Sequence, residues 1–421
     1  MAKNIKAVLA DPPEKTKPQY LRTGSTLLDL CIGGGVGLGI PAGVVVNLVG
    51  DKSSGKTFLA NEIIAATHWE LNQQKKDRFV WNFDDCESGH TFDTVGLYGV
   101  AIRPEKPEDK EIPDSTTIEE MDTNVGVFLR GIKPGQVGLY VVDSLDGLSD
   151  DEKEDRATER VDAAMKGKTI EQGGTYGVAA PKFLSQEFFK TKTAQFREKN
   201  STLIIVSQVR ENMERRAFGK KYKRAGGKAL DFYAHTCLWL STIRKIERAG
   251  RVVGVYVEAV AEKSKTPRPF RSVRFSLYFA YGIDDIGSNL DYLYDLRTES
   301  GELNKDAESI CWDGTEPKNL ETLRAWLERE NLLETARADR KAEAGRANLS
   351  KEFILEWVDR DPERRARLDA HFGISESREA LIERIGRDRA LQNELERRVI
   401  AKWEAAEAAA VVARPSKYGS A

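Results

Sequence analysis

Gly50-Asp51-Lys52-Ser53-Ser54-Gly55-Lys56-Thr57 follows an apolar run, Val44 to Val49, that reads as a buried strand. With this spacing the glycines let backbone N–H groups curl around a β-phosphate, and Lys56 reaches the β and γ oxygens. The Thr57 hydroxyl is placed to coordinate Mg²⁺. Asp51, Lys52, Ser53 and Ser54 complete the cradle. Behind it Phe58, Leu59, Ile63, Ala66 and Trp69 recur at helical spacing, so the loop opens a helix whose N-terminal dipole faces the phosphates. Strand, loop and helix in that order predict an α/β nucleotide-binding fold with a nucleoside triphosphate and Mg²⁺ as its ligands.

A chain of 421 residues, 40% hydrophobic and 31% charged, can bury one large core and a smaller one. Its net charge of −2 points to no class of partner. No N-terminal segment has the apolar core of a signal peptide, and no apolar run approaches membrane-spanning length. Both predict a cytoplasmic protein with no membrane partner. Cys31, Cys86, Cys237 and Cys311 lack C-x-x-C spacing, which favours reduced, buried thiols over disulfides or a zinc site. Four histidines disfavour histidine-based metal catalysis.

Further strands are expected at Phe79 to Phe83, Leu139 to Val142, Leu203 to Val206, Cys237 to Leu240, Val252 to Val260 and Val273 to Phe279, with helices alternating among the earlier ones. Thr116-x-x-Glu119 reads as a capping box that starts a helix with Ile118, Met121, Val125, Phe128, Leu129 and Ile132 as its apolar face. The order βαβαβ early and hairpin-like strands late predicts a mainly parallel sheet with an antiparallel extension. Five segments are expected: an N-terminal arm over 1–20 that could serve oligomerisation, a core over 21–297, a small subdomain over 298–335, a helical extension over 336–412 and a disordered tail over 413–421. From Glu334 to Ala421 there are 18 Lys/Arg and 17 Asp/Glu, the mix of a solvated helical surface.

Leu139-Tyr140-Val141-Val142-Asp143-Ser144 is an apolar strand ending in a carboxylate, and Asp143 is placed to orient the Mg²⁺ shell. The strand Phe79 to Phe83 ends in Asp84-Asp85-Cys86-Glu87 at the edge where open α/β sheets bind ligands. One of these carboxylates, Glu87, Asp84 or Asp85, should polarise the attacking water, and the choice of Glu87 rests partly on family resemblance. After Leu203 to Val206 come Ser207-Gln208 and then Arg210 to Lys228, with eight basic and two acidic residues. Arg210, Arg215, Arg216, Lys220, Lys221, Lys223, Arg224 and Lys228 would neutralise phosphates, Phe218 and Tyr222 would stack on or wedge between bases, and Gly226 and Gly227 close the loop. A second candidate surface, Lys166 to Ala180, carries Lys166, Lys168 and Tyr176 among glycines.

Taken together these residues resemble the RecA-type strand-exchange recombinases over roughly 21–297. The longer middle insertion and Glu262-Lys263-Ser264-Lys265 are most similar to the family's bacteriophage, UvsX-like branch. The resemblance rests on Thr23-Gly24-Ser25 with Leu28-Asp29, on Gly39-Ile40-Pro41, on Ser53 to Thr57 and on Asp85-Cys86-Glu87. It implies a RecA-like fold, to which the C-terminal helical region is added as a departure from the bacterial members, with Glu87 as the catalytic glutamate and Gln208 as the residue that senses the γ-phosphate. Arg210 to Gly227 and Lys166 to Ala180 correspond to the family's second and first DNA-binding loops. Lys263 and Lys265 would reach the ATP of a neighbouring subunit.

The family's bacterial members contact adenine through an Asp and a Tyr where this chain has Thr91 and Thr94, leaving His90 or Phe92 as substitutes. The resemblance further implies single- and double-stranded DNA as partners, and self-assembly into a helical filament or a ring. Mediator and single-strand-binding proteins are candidate partners, and the host cytoplasm is the location if the chain is phage-encoded. The readings that compete with a recombinase are a hexameric helicase of the same fold and a non-catalytic ATP-binding regulator. The joint presence of Lys56, Glu87, Asp143, Gln208, Lys263 and Lys265 argues against the regulator.

Overall fold

The computed structural model describes residues 19–34, 38–73, 75–104, 109–149, 183–211, 222–224, 227–266, 269–312, 320–372 and 375–411. β1 (Tyr20–Leu21) and β2 (Ile40–Pro41) pair as a short ribbon around the helix α1 (Thr26–Gly33). β3 (Val45–Gly50) is buried along its whole length, as a parallel strand covered on both faces must be. Asn47 alone interrupts its apolar run. Its amide is satisfied by the Ile205 carbonyl at 2.8 Å and Ser207 Oγ at 2.9 Å.

Beside β3 lie β4 (Phe79–Asp85), β5 (Val137–Asp143), β6 (Ser201–Glu211) and β8 (Thr236–Arg248), in the parallel order β4-β5-β6-β3-β8. β7 (Tyr222–Arg224) pairs antiparallel with the end of β6. β9 (Arg251–Ser264), β10 (Ser272–Tyr278) and β11 (Gly282–Asp284) continue the sheet antiparallel beyond β8. The fold is therefore RecA-like α/β, a large sheet with a parallel half, an antiparallel half and a helical C-terminal region. The β8–β9 hairpin turns at Ala249 and Gly250 in the left-handed region, φ +49° and +72°, which lets two strands of 13 and 14 residues return on each other.

α2 (Lys56–Asn72) follows the phosphate loop, α3 (Thr94–Tyr98) is short, and α4 (Ile118–Gly131) covers β5 and β6. Ile118, Met121, Val125, Phe128, Leu129 and Ile132 are all buried, the apolar face expected from the sequence. Each such side chain contributes about 1.5–3 kcal/mol, and the Phe128 ring meets Tyr140 edge-on at 5.4 Å. The capping box lies one residue later than expected: Thr117 accepts from the Glu120 amide, and Glu120 accepts from the amides of Thr116 and Thr117. The face of α2 also differs. Leu59, Ala60, Ile63, Ile64, Thr67 and Leu71 are buried, whereas Trp69 is 45% exposed and donates its indole N–H to the Tyr98 carbonyl. Sheet and flanking chain enclose the first half of this helix, so one stripe does not describe its burial.

The chain forms two compact units, Met1–Ser288 with Val399–Ala421, and Asn289–Arg398. The second has its own core, in which Leu323, Trp326 and Leu327 pack with Phe353, Ile354, Trp357 and Leu368. The boundary expected at 335 runs through that core. The final helical segment, expected to belong to an extension, returns to the first unit. There Glu407 accepts from buried Arg271 at 2.8 Å. All four cysteines are free thiols. Among the described residues no helix is long and apolar enough to cross a membrane. The N-terminal arm through residue 18, the 413–421 tail and most of both expected DNA loops lie outside the described residues.

Candidate active site

Gly50 ends β3 so close to its neighbours that a Cβ would stand 2.4 Å from Ser54 Oγ and 2.5 Å from the Leu240 carbonyl oxygen. Only glycine lets the chain leave the strand there. Gly55, at φ +89°, turns it into α2. Lys56 lies over the loop, its Nζ donating to the carbonyls of Gly50 at 2.8 Å and Asp51 at 2.7 Å. Burial lowers its pKa, while Asp143, Asp51 and Glu87 act in the opposite direction. A charged amine held inside a curl of backbone is the arrangement an anionic phosphate requires.

β5 ends opposite this loop, and the Thr57 hydroxyl donates to Asp143 Oδ2 at 2.6 Å. Burial pushes the Asp143 carboxyl up to about 6, with Glu87 and Asp85 adding to the rise and Thr57 and Lys56 opposing it. A hydroxyl and a carboxylate in contact, with more negative charge close by, are a hard-oxygen set that fits Mg²⁺.

The three candidate bases have different surroundings. Asp84 is fully buried and accepts from the Ser115 amide at 2.8 Å, the Ser115 hydroxyl at 2.7 Å and the Tyr140 hydroxyl at 2.8 Å. Those bonds give it a structural role. Asp85 accepts from the amides of Gly89 and His90, and faces Arg103 at 3.4 Å. Asp85 and Glu87 both line the cleft, and of the two only Glu87 bonds Gln208. Its Oε1 accepts from Gln208 Nε2 at 2.9 Å and from the Ser144 hydroxyl. The Gln208 amide donates to Asp146 Oδ2 at 2.8 Å, so Gln208 bridges two carboxylates at the edge of the sheet. Ser144 and Asp146 escape sequence reasoning, although they directly follow the strand that ends in Asp143.

The cleft has a volume of about 340 Å³ and runs from Ser53–Phe58 past Glu87 to His90, Phe92 and Phe279, a size suited to a small ligand. At its far end Phe92 meets Phe58 edge-on at 4.7 Å, with Phe279 6.3 Å from Phe58. Thr94 is buried, and its hydroxyl accepts from the Ile102 amide, which removes it from any contact with a base. Phe92 lines the cleft, as does His90, whose Nε2 lies 3.0 Å from Asn61 Oδ1. By sequence alone Phe279 reads only as the end of a strand.

Lys263 and Lys265 do not approach this site within the chain. Lys263 pairs with Cys237 across β8 and β9, level with Asn47 and three residues below Gly50. Its Nζ donates to the carbonyls of Asp231 and, at 3.0 Å, Phe232. Lys265 is exposed, and its amide donates to the His235 carbonyl. Both stand toward the edge of the sheet opposite the phosphate loop. The start of the basic segment is not loop: β6 runs on to Glu211, and Val209, Arg210 and Glu211 pair with Arg224, Lys223 and Tyr222. Arg215, Arg216, Phe218, Lys220, Lys221 and Gly226 fall outside the described residues, as do Lys166, Lys168 and Tyr176. Gly227 and Lys228 begin the helix Gly227–Tyr233.

The RecA N-terminal domain matches residues 6–284. Protein RecA of Thermus thermophilus is 30% identical over 331 residues, which is 77% of this chain and 85% of that protein. Protein RecA of Sulfurovum sp. strain NBC37-1 is 29% identical over 272 residues, 65% of this chain and 69% of that one. Among solved structures, that of the RadB recombinase aligns with a TM-score of 0.40 and 20% identity, over 63% of this chain and 98% of its own.

Proposed function

Because the chain belongs to the RecA family, we propose that it is an ATP-dependent recombinase that assembles on single-stranded DNA and pairs it with homologous duplex. The observation that carries this reading is the Gln208 bridge. One residue touches Glu87, beside the place of a γ-phosphate, and sits on the strand that continues into the basic hairpin. ATP would lie with its phosphates on Gly50 to Thr57 and its base against Phe92 and Phe279, and Thr57 and Asp143 would hold Mg²⁺. When bound, the cation screens charge on the phosphates. Glu87 would take a proton from the attacking water, and Gln208 would report the γ-phosphate to the DNA-binding segment. ATP binding would thus select the DNA-gripping state and hydrolysis release it.

The position of Lys263 and Lys265, away from the chain's own phosphate loop, supports their acting on the ATP of an adjacent subunit, where two ammonium groups would stabilise charge on the transferred phosphate. Assembly would then be a helical filament, in the cytoplasm and without a membrane partner, and the middle insertion favours the bacteriophage branch. The test is ATP turnover with and without single-stranded DNA. Turnover should be stimulated by DNA, and Glu87→Gln should keep ATP and DNA binding while hydrolysis falls by roughly 10²–10⁴-fold, as for loss of a general base. Lys56→Ala should weaken the nucleotide-bound state itself. A fully active Glu87→Gln protein would overturn the assignment.

A further inference from the structure

Behind the turn that presents Glu87 lies a cluster of charges that none of the roles above employs. Asp114 Oδ1 accepts from the Asp85 amide at 2.9 Å, from Lys110 Nζ at 2.5 Å and from Arg103 at 3.2 Å, and its Oδ2 accepts from Arg103 at 2.7 Å. Lys110 also donates to the Phe83 carbonyl at 2.7 Å. Arg103 reaches Asp85 Oδ2 at 3.4 Å, and that same carboxylate accepts the Gly89 and His90 amides. The exposures are low: 15% for Arg103, 7% for Lys110 and for Asp85. Burial alone would raise the Asp114 pKa, but the hydrogen bonds from Lys110, the Asp85 amide and Arg103 outweigh it and hold the group below the usual carboxylate range.

These contacts grip both ends of a short turn. Lys110 and Asp114 fix the last residues of β4, and Arg103 with Asp85 fixes the backbone at residues 89 and 90. Glu87 sits between the two anchors, and its only described side-chain partners, Ser144 and Gln208, approach from the cleft.

We propose that Arg103, Lys110 and Asp114 form a clasp that positions Glu87 for proton abstraction, with Asp114 as its central positioning residue. The inference rests on Glu87 being the general base. A group 1 Å out of place can cost about 10²-fold in rate, and a turn tethered only from the cleft side has that freedom.

The experiment is a double-mutant cycle on the full-length protein with single-stranded DNA, measuring single-turnover ATP hydrolysis for Asp114→Ala in two backgrounds, native and Glu87→Gln. The expected result is a loss of about 10- to 10²-fold in the native background and none in Glu87→Gln, because the clasp acts only through that carboxylate. Lys110→Met, which leaves the Asp114–Arg103 pair in place, should show the same pattern with a smaller loss, and stands in if Asp114→Ala does not fold. Equal losses in both backgrounds would mark the cluster as structural support and overturn the proposal. So would full activity of Asp114→Ala or, in its stead, of Lys110→Met. An active Glu87→Gln protein is a separate result, refuting the general base itself.

Discussion

Asp84, Asp85 and Glu87 lie within four positions of each other, and their partners assign them different work. Replacing Asp84 by Asn should cost about 1–3 kcal/mol, because at least one buried donor among the Ser115 amide, the Ser115 hydroxyl and the Tyr140 hydroxyl loses its acceptor. Thermal or denaturant unfolding measures this. Glu87→Gln should leave stability nearly unchanged and remove turnover. If Asp84→Asn were fully stable yet inactive, the two roles would have to be exchanged. At the base end of the cleft, Phe92→Ala should raise the KM for ATP by the roughly 5- to 150-fold that corresponds to about 1–3 kcal/mol of stacking, with kcat less affected. Steady-state kinetics reads the difference directly. Glu87 and Gln208 stand out in the sequence because each follows an apolar strand at the ligand edge, while the roles proposed for them come from the family resemblance. The contacts around Asp114 were not legible, because Arg103, Lys110 and Asp114 lie outside helices and strands and meet only through the path of the chain between α3 and α4.

At the scale of elements, the strands that carry the site were legible because parallel strands covered on both faces read as unbroken apolar runs. The helix caps were less so. Thr116 and Thr117 each have a glutamate three residues on, so the sequence holds two overlapping boxes. The structure selects Thr117, whose extended backbone precedes buried Ile118. The full extent of β6 is hidden in the sequence because its end, Ser207 to Glu211, is mostly polar and its partner there, β7, lies beyond the basic segment. Neutralising Arg215, Arg216, Lys220 and Lys221 together in that segment should weaken single-stranded DNA binding for all sequences alike. The log–log salt slope should fall by about 0.7 for each phosphate that is no longer neutralised, whereas an unchanged slope would remove this segment from the interface. At the start of β8, burial together with Lys265 and Lys263 depresses the His235 pKa to about 4. The folded pKa lies below the unfolded one, so this group's contribution to stability is fully present above about pH 6.5 and is lost as pH falls toward 4. His235→Asn should flatten that acid limb in a series of melts across this range.

For the whole molecule, the sheet places the phosphate loop toward one edge and Lys263 and Lys265 toward the other. On the proposed mechanism, each chain would carry two halves of a site that meet only between copies. A Glu87→Gln protein and a Lys263→Ala/Lys265→Ala protein, each inactive alone, should recover measurable hydrolysis when mixed on single-stranded DNA. A double-lysine variant with normal activity alone would end the shared-site account. The division of the C-terminal region was beyond sequence reading, because charge-balanced amphipathic helices of both units look alike until their partners are known. Glu407, which pairs with buried Arg271 in the first unit, is one such case. Strand exchange tests the central claim most directly: circular single-stranded DNA is incubated with a homologous linear duplex and ATP, and the joined product is followed over time. The account predicts paired and then exchanged product that requires ATP and homology. Strand separation of a non-homologous duplex, or no pairing by a protein that binds both ATP and DNA, would contradict it.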